Sequence, residues 1–225
     1  HGFKSLRKIS IEWRELLSMG KPIFVSNAMF VILSWASIIA IGLFKDEEMT
    51  GLFNVALRLA NLTTLSLFVA NAFAAPLISD RYKKGDMEGM RKATKDGSKL
   101  IFWFGLPLLL ILCIFPGFLL SIFGKEFASA IPVLIILSIS QFLFISVGPV
   151  LQVLNMAHEE KAARNIVSFS ALFNVIFNVV FIPLFGIVGA AIADLTSKLI
   201  WSSVSSAYVK KRFGFYSFYI PFLSK

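Results

Sequence analysis

Two groups of residues in this 225-residue chain combine charge with helical spacing inside apolar sequence. The first is Asn54, Arg58 and Asn61, at i, i+4 and i+7 within the twenty-eight-residue stretch Leu52–Ser79. That spacing puts all three on one face of a helix, and Thr64 and Asn71 widen the polar side. An arginine in such a segment costs about 2.5–3.5 kcal/mol on insertion scales, so it is kept where it meets water, a partner or a ligand. Its planar fork suits phosphate oxygens, and the flanking amides suit sugar hydroxyls. A structural alternative is an acid on another helix, such as Asp194, holding Arg58 in place. The second group is Asp194 and Lys198, one turn apart within residues 186–209. An i, i+4 acid–base pair neutralises itself in low dielectric, so a self-compensated pair and a functional pair both stand. Further amides follow helical stripes: Gln141 with Gly148, Gln152 and Asn155, and Asn174 and Asn178 with Ser170.

A wet helix face needs other helices to enclose it, and the sequence supplies them. Hydrophobic residues make up 57% of the chain and charged ones 16%, against about 25% charged in a typical soluble domain. Mean hydropathy is +0.78. The fold class expected is an all-α membrane protein, a six-transmembrane-helix bundle with spans at about 22–44, 52–79, 100–123, 131–154, 166–185 and 186–209. Each is long enough for a hydrocarbon core of about 30 Å. Residues 1–21 are basic and amphipathic, with Leu6, Ile9, Trp13, Leu16 and Leu17 on one face, and read as a cytoplasmic helix in the headgroup region. Residues 210–225 read as a cytoplasmic tail that opens on Lys210, Lys211 and Arg212. The chain opens on His1 without a signal-peptide pattern and is expected to be a fragment of a longer protein.

The connectors exclude several chemistries. Residues 80–99 hold seven Lys/Arg and four Asp/Glu and read as an exposed loop with a short helix around Met87–Lys95. Neither GxxxxGK[ST] nor GxGxxG occurs, so no phosphate loop is present. Asp46, Glu47 and Glu48 read as a solvated connector rather than a metal site, and His158 as a surface histidine. No cofactor and no metal are expected, and no Asp/His constellation supports a membrane-embedded enzyme. Pro107, Pro116 and Pro149 should bend or break their helices. Gly186, Gly189, Ala190, Ala191 and Ala193 should let two helices approach closely.

Charge then fixes orientation. Of the 22 Lys/Arg residues, 18 fall in the N-terminal segment, the 80–99 loop, residues 155–165 and the tail. The opposite side holds Lys45 and Lys125, and Arg58 and Lys198 lie within spans. By the positive-inside rule both termini are cytoplasmic. The net charge of +9 therefore serves topology rather than nucleic acid.

Four stretches in order resemble one family: TGLFNVALRLANL (Thr50–Leu62), AAPLISDRYKKGDMEGMRKA (Ala74–Ala93), LSIFGKEFASAIPVLIILSISQF (Leu120–Phe142) and FIPLFGIVGAAIAD (Phe181–Asp194). They are similar to the C-terminal half of polysaccharide (Wzx-like, O-antigen) flippases of the multidrug/oligosaccharidyl-lipid/polysaccharide (MOP) exporter superfamily. The resemblance implies one lobe of a transporter of twelve or more helices, working by alternating access in the cytoplasmic membrane of a prokaryote. It implies an undecaprenyl-diphosphate-linked oligosaccharide as substrate, and membrane lipids and a missing N-terminal lobe as partners. Members often carry an aspartate midway along the first helix of this lobe. Here that region is Ser34-Trp35-Ala36-Ser37, and Asp194 is the acid that could substitute. On this reading Arg58, Asn54, Asn61, Gln141, Asn174 and Asn178 are the substrate-binding candidates. The rivals are a multidrug or cation exporter of the same superfamily, with a cavity rich in acids and aromatics, and a non-transporting membrane component of polysaccharide assembly.

Overall fold

The computed structural model describes residues 13–219 and residue 221, so the expectations for residues 1–12 and for 220 and 222–225 lie outside the described residues. The described chain is helical throughout: α1 (Trp13–Phe44), α2 (Glu47–Asn61), a 3-10 turn (Leu62–Thr64), α3 (Leu65–Lys83), α4 (Met87–Ile114), α5 (Pro116–Ser121), a second 3-10 segment (Lys125–Ala130), α6 (Ile131–Ser146), α7 (Val150–Met156) and α8 (Glu160–Phe213). Among the described residues four helical stretches are long and apolar enough to cross a membrane: Glu47–Lys83, Met87–Ile114, Lys125–Met156 and Glu160–Phe213.

Local chemistry explains most boundaries. Asp46 caps α2, its Oδ1 accepting the Met49 N–H at 2.8 Å. Glu47 and Glu48 then lie in the first turn, where carboxylates complement the helix dipole. The acidic connector is thus a helix start, and no group of three or more metal-ligating side chains occurs among the described residues. Asp86 caps α4 in the same way through the Gly89 N–H, at 2.8 Å. That bond, and next the Arg81 guanidinium 2.9 Å away, hold the Asp86 carboxyl below its ordinary range.

The 80–99 segment departs from the expected loop, because α4 runs unbroken from Met87 to Ile114. Its small polar residues do not compete with the helix. The Thr94 and Ser98 hydroxyls donate back to the carbonyls four residues earlier, both at 2.9 Å. The expected span 100–123 instead ends at Ile114, and Pro116 begins the short α5. The expected 131–154 helix is interrupted at Val147–Pro149, where Gly148 has φ 80°.

The 54-residue α8 is two antiparallel arms. Gly186 has φ 60° and ψ −138°, a conformation that side chains disfavour, and the chain reverses there. Across the reversal the Asn174 amide donates to Ser197 Oγ at 2.9 Å. A Cβ added to Gly189 would lie 2.1 Å from the Phe181 carbonyl oxygen, so the arms touch backbone to backbone. The stripe Gly189, Ala190, Ala191 and Ala193 is buried at that contact.

The core lies in three layers along the bundle. One end packs Ile78, Met90, Val153, Leu154, Val209 and Phe215. The middle holds Ala70, Ile101 and Ile145, and the far end Phe53, Leu120, Leu134, Ile182 and Ala190. Connections therefore alternate between the two ends. Residues 84–86, 157–159 and the segment after Phe213 share one end; residues 45–46, the 122–130 segment and Gly186 share the other. Glu159 ties the first end together, accepting from Tyr208 Oη at 3.0 Å and from Arg212 Nε. The Arg212 bond holds the Glu159 carboxyl below its ordinary value. After Gly214 the tail folds back, and Ser98 Oγ donates to the Ser217 carbonyl.

Candidate functional site

An opening of about 340 Å³ lies between α1, α2–α3, α6 and both arms of α8. The 3-10 turn at Leu62–Thr64 positions one wall, presenting Asn61 and Thr64 inward. The small-residue stripe of α8 positions the opposite wall. It draws the second arm onto the first and onto α6, so Asp194 comes to rest beside Ser140. Ser140 donates to Asp194 Oδ2 at 2.6 Å, and Lys198 Nζ reaches the same oxygen at 2.8 Å. Both charged side chains are mostly buried, 16% exposed for Lys198 and 10% for Asp194. The Lys198 ammonium also sits 5.9 Å from the centre of the Phe144 ring.

Each residue singled out from the sequence now has a place. Asn61 and Gln141 line the cavity together, the Gln141 amide donating to Asn61 Oδ1. Asp194 and Lys198 line it as an ion pair. Asn174 and Asn178 lie outside it, fully packed between the α8 arms. Asn174 holds Ser197, and the Asn178 amide donates to the Asn174 carbonyl at 2.9 Å and to its Oδ1 at 3.0 Å. Asn54 and Arg58 lie on the exposed face of α2, where Arg58 Nε donates to Asn54 Oδ1 at 2.8 Å. The structural alternative of an Arg58–Asp194 pair is overturned, since Asp194 is held by Lys198 and Ser140. Neither Asn54 nor Arg58 lines the opening, although Leu57 and Asn61 on the same helix do.

Sequence reading missed Ser140, Ser197, Phe144 and Trp201. Ser197 carried a usable signal, three residues after Asp194 on the same helix face. Trp201, seven residues after Asp194, shared that face, whereas Ser140 and Phe144 sit in an apolar run whose inward side is set only by packing. A second void of about 60 Å³ behind the α6–α7 break is lined by Asn71 and Gln152.

The profile of the MatE family matches residues 22–180. The chain belongs to the MatE family. An uncharacterized membrane protein of Methanocaldococcus jannaschii is 32% identical over 190 residues, covering 81% of the MatE chain and 36% of its own length. A probable low-salt glycan biosynthesis flippase, Agl15 of Haloferax volcanii, is 30% identical over 210 residues, covering 91% and 44%. A probable flippase of the same organism, AglR, is 27% identical over 190 residues, covering 83% and 40%. The MatE chain thus spans less than half the length of these relatives. Its fold matches an outward-facing multidrug resistance MATE family transporter of the MOP superfamily with a TM-score of 0.72 at 17% identity, covering 93% of this chain and 48% of that one. It also matches a MOP superfamily transporter from Pyrococcus furiosus, described by a binding pocket of reverse polarity suggesting a different function. There the TM-score is 0.71 at 18% identity, covering 89% and 45%. Relatives and neighbours with a stated role are flippases or transporters, not enzymes.

Proposed function

We propose that this MatE chain is one six-span lobe of an alternating-access flippase that moves a lipid-diphosphate-linked oligosaccharide out of the cytoplasmic leaflet. The spans are α1, α2–α3, α4, α6–α7 and the two arms of α8, with both ends of the unit cytoplasmic. The observation that carries the reading is a cavity in which amides, hydroxyls and the Lys198–Asp194 ion pair stand among apolar walls, on a bundle that also carries an exposed arginine on α2. A diphosphate-sugar headgroup cannot cross hydrocarbon unaided. It needs a wet path with cationic and hydrogen-bonding walls, and such contacts are stronger where the local dielectric is low. Arg58 holds phosphate oxygens on the exposed face of α2, where the second lobe would face it, and Asn54, Asn61 and Gln141 give loose sugar recognition. Asn174 and Asn178 support the site by fixing the α8 hairpin. The name of Agl15, a probable low-salt glycan biosynthesis flippase, supports a glycan substrate, and that of AglR, a probable flippase, supports the transport step.

One observation favours a second reading, a multidrug or cation exporter: Phe53, Phe68, Phe144 and Trp201 also line the cavity. The complete transporter in liposomes separates the two. Wild type should move a fluorescent lipid-diphosphate oligosaccharide between leaflets, and Arg58→Gln should lose most of that flipping. Unchanged flipping in Arg58→Gln removes Arg58 from the site. Export of ethidium without oligosaccharide flipping selects the drug-exporter reading.

A further inference from the structure

We propose that Asp194 is a built-in counter-ion for Lys198, which the diphosphate of the substrate displaces when the cavity loads. The inference rests on the flippase reading and names a second cation, inside the cavity, that meets the anionic headgroup beyond Arg58. Among the described cavity-lining residues Lys198 is the one cation and Asp194 the one anion. The other polar groups lining the cavity are neutral: Ser37 from α1, Asn61 and Thr64 from α2–α3, Gln141 from α6, Ser170 from the first arm of α8 and Ser197 from the second.

The two members of the pair are not equivalent. Asp194 has a short side chain and is pinned from α6 by Ser140 Oγ at 2.6 Å. Lys198 sits on a flexible four-carbon stem with three donor hydrogens, of which the bond to Asp194 uses one. Lys198 is therefore the member that moves, and Asp194 keeps a hydroxyl donor when it does. A lone ammonium mostly out of water would be costly, so the empty cavity needs an internal anion. A diphosphate offers more negative charge and more acceptor oxygens than one carboxylate, so it wins the lysine. Asp194 then stands beside a bound anion and repels it. The same residue that stabilises the empty cavity limits affinity in the loaded one, which lets the headgroup leave.

The test uses the complete transporter, purified, with farnesyl diphosphate as the probe in calorimetric titrations. Asp194→Asn should bind the probe about tenfold tighter, and Lys198→Met about tenfold weaker, the scale of one charge-assisted hydrogen bond. Lys198→Met leaves a buried carboxylate without its cation and should also lose thermal stability. The double variant Asp194→Asn with Lys198→Met should recover that stability and, lacking the lysine, still bind the probe more weakly than wild type. A purely structural pair predicts otherwise: affinity returns with stability in the double variant, and Asp194→Asn binds no more tightly than wild type. Either result overturns the proposal. Wild type that binds tetraphenylphosphonium but not farnesyl diphosphate defeats the flippase reading itself. Wild type that binds farnesyl diphosphate, with Asp194→Asn unchanged, defeats the counter-ion inference alone.

Discussion

Gly189→Ala tests the contact on which the site depends. A Cβ at Gly189 would lie 2.1 Å from the Phe181 carbonyl oxygen and 2.6 Å from its carbon, and both are backbone atoms. To bring 2.1 Å to the 3.0 Å that side-chain carbons tolerate, the α8 arms must part by about 0.9 Å. A gap of about 0.5–1 Å forfeits a quarter to a half of each dispersion contact it opens. Overpacking of this kind costs about 1–3 kcal/mol, with the upper part of that range fitting a clash with backbone. Alanine returns up to about 1 kcal/mol of helix propensity, so the net loss is about 1–2 kcal/mol. For a chain of this size that lowers the melting temperature by about 2–4 °C per kcal/mol. Gly51→Ala is the control, because no atom lies within 4 Å of the added carbon. It carries the propensity gain without the clash. Thermal unfolding of the complete protein in detergent should show Gly189→Ala below wild type and Gly51→Ala at or above it. If both variants move upward together, the arms are not in backbone contact, and the placement of Asp194 against Ser140 loses its cause.

Two further predictions follow from the two ends of the bundle. Glu159→Gln removes the negative charge that pairs with Arg212 at the α7–α8 connection and should cost about 1 kcal/mol near pH 7. The folded carboxyl lies below its ordinary value of 4.5, so its contribution is present above 4.5 and fades as pH falls through the lowered folded value. The melting-temperature gap between wild type and Glu159→Gln should shrink accordingly, and a gap that persists or grows in acid contradicts the assignment. In a Cys113→Ser background, a membrane-impermeant maleimide applied to intact cells should label Lys125→Cys and spare Lys84→Cys. Labelling of Lys84→Cys in its place reverses the proposed orientation.

The sequence by itself determined the helical membrane character, the close-packed hairpin after Phe185 and the gathering of basic residues toward one end. These depend on hydrophobic run length, small-residue stripes and side-chain charge, all of which are local along the chain. It also marked Asp194 and Lys198 as a pair, because i, i+4 partners meet on any helix. The continuous α4 was harder to see, because the charge of the 80–99 segment suggested a loop while the Asp86 cap and back-bonded Thr94 and Ser98 supported a helix.

Only tertiary structure decided which polar residues share a space. Asn54, Arg58 and Asn61 lie on one face of α2 in sequence terms, yet Asn61 meets Gln141 inside the cavity while Arg58 turns back to Asn54 on the outside. Asn174 and Asn178 look like cavity amides by spacing, and the hairpin turns them inward to each other and to Ser197. Helical periodicity gives the direction of a side chain about its own axis. It does not give the neighbour met in that direction, which depends on how closely Gly189, Ala190, Ala191 and Ala193 let the α8 arms and α6 come together.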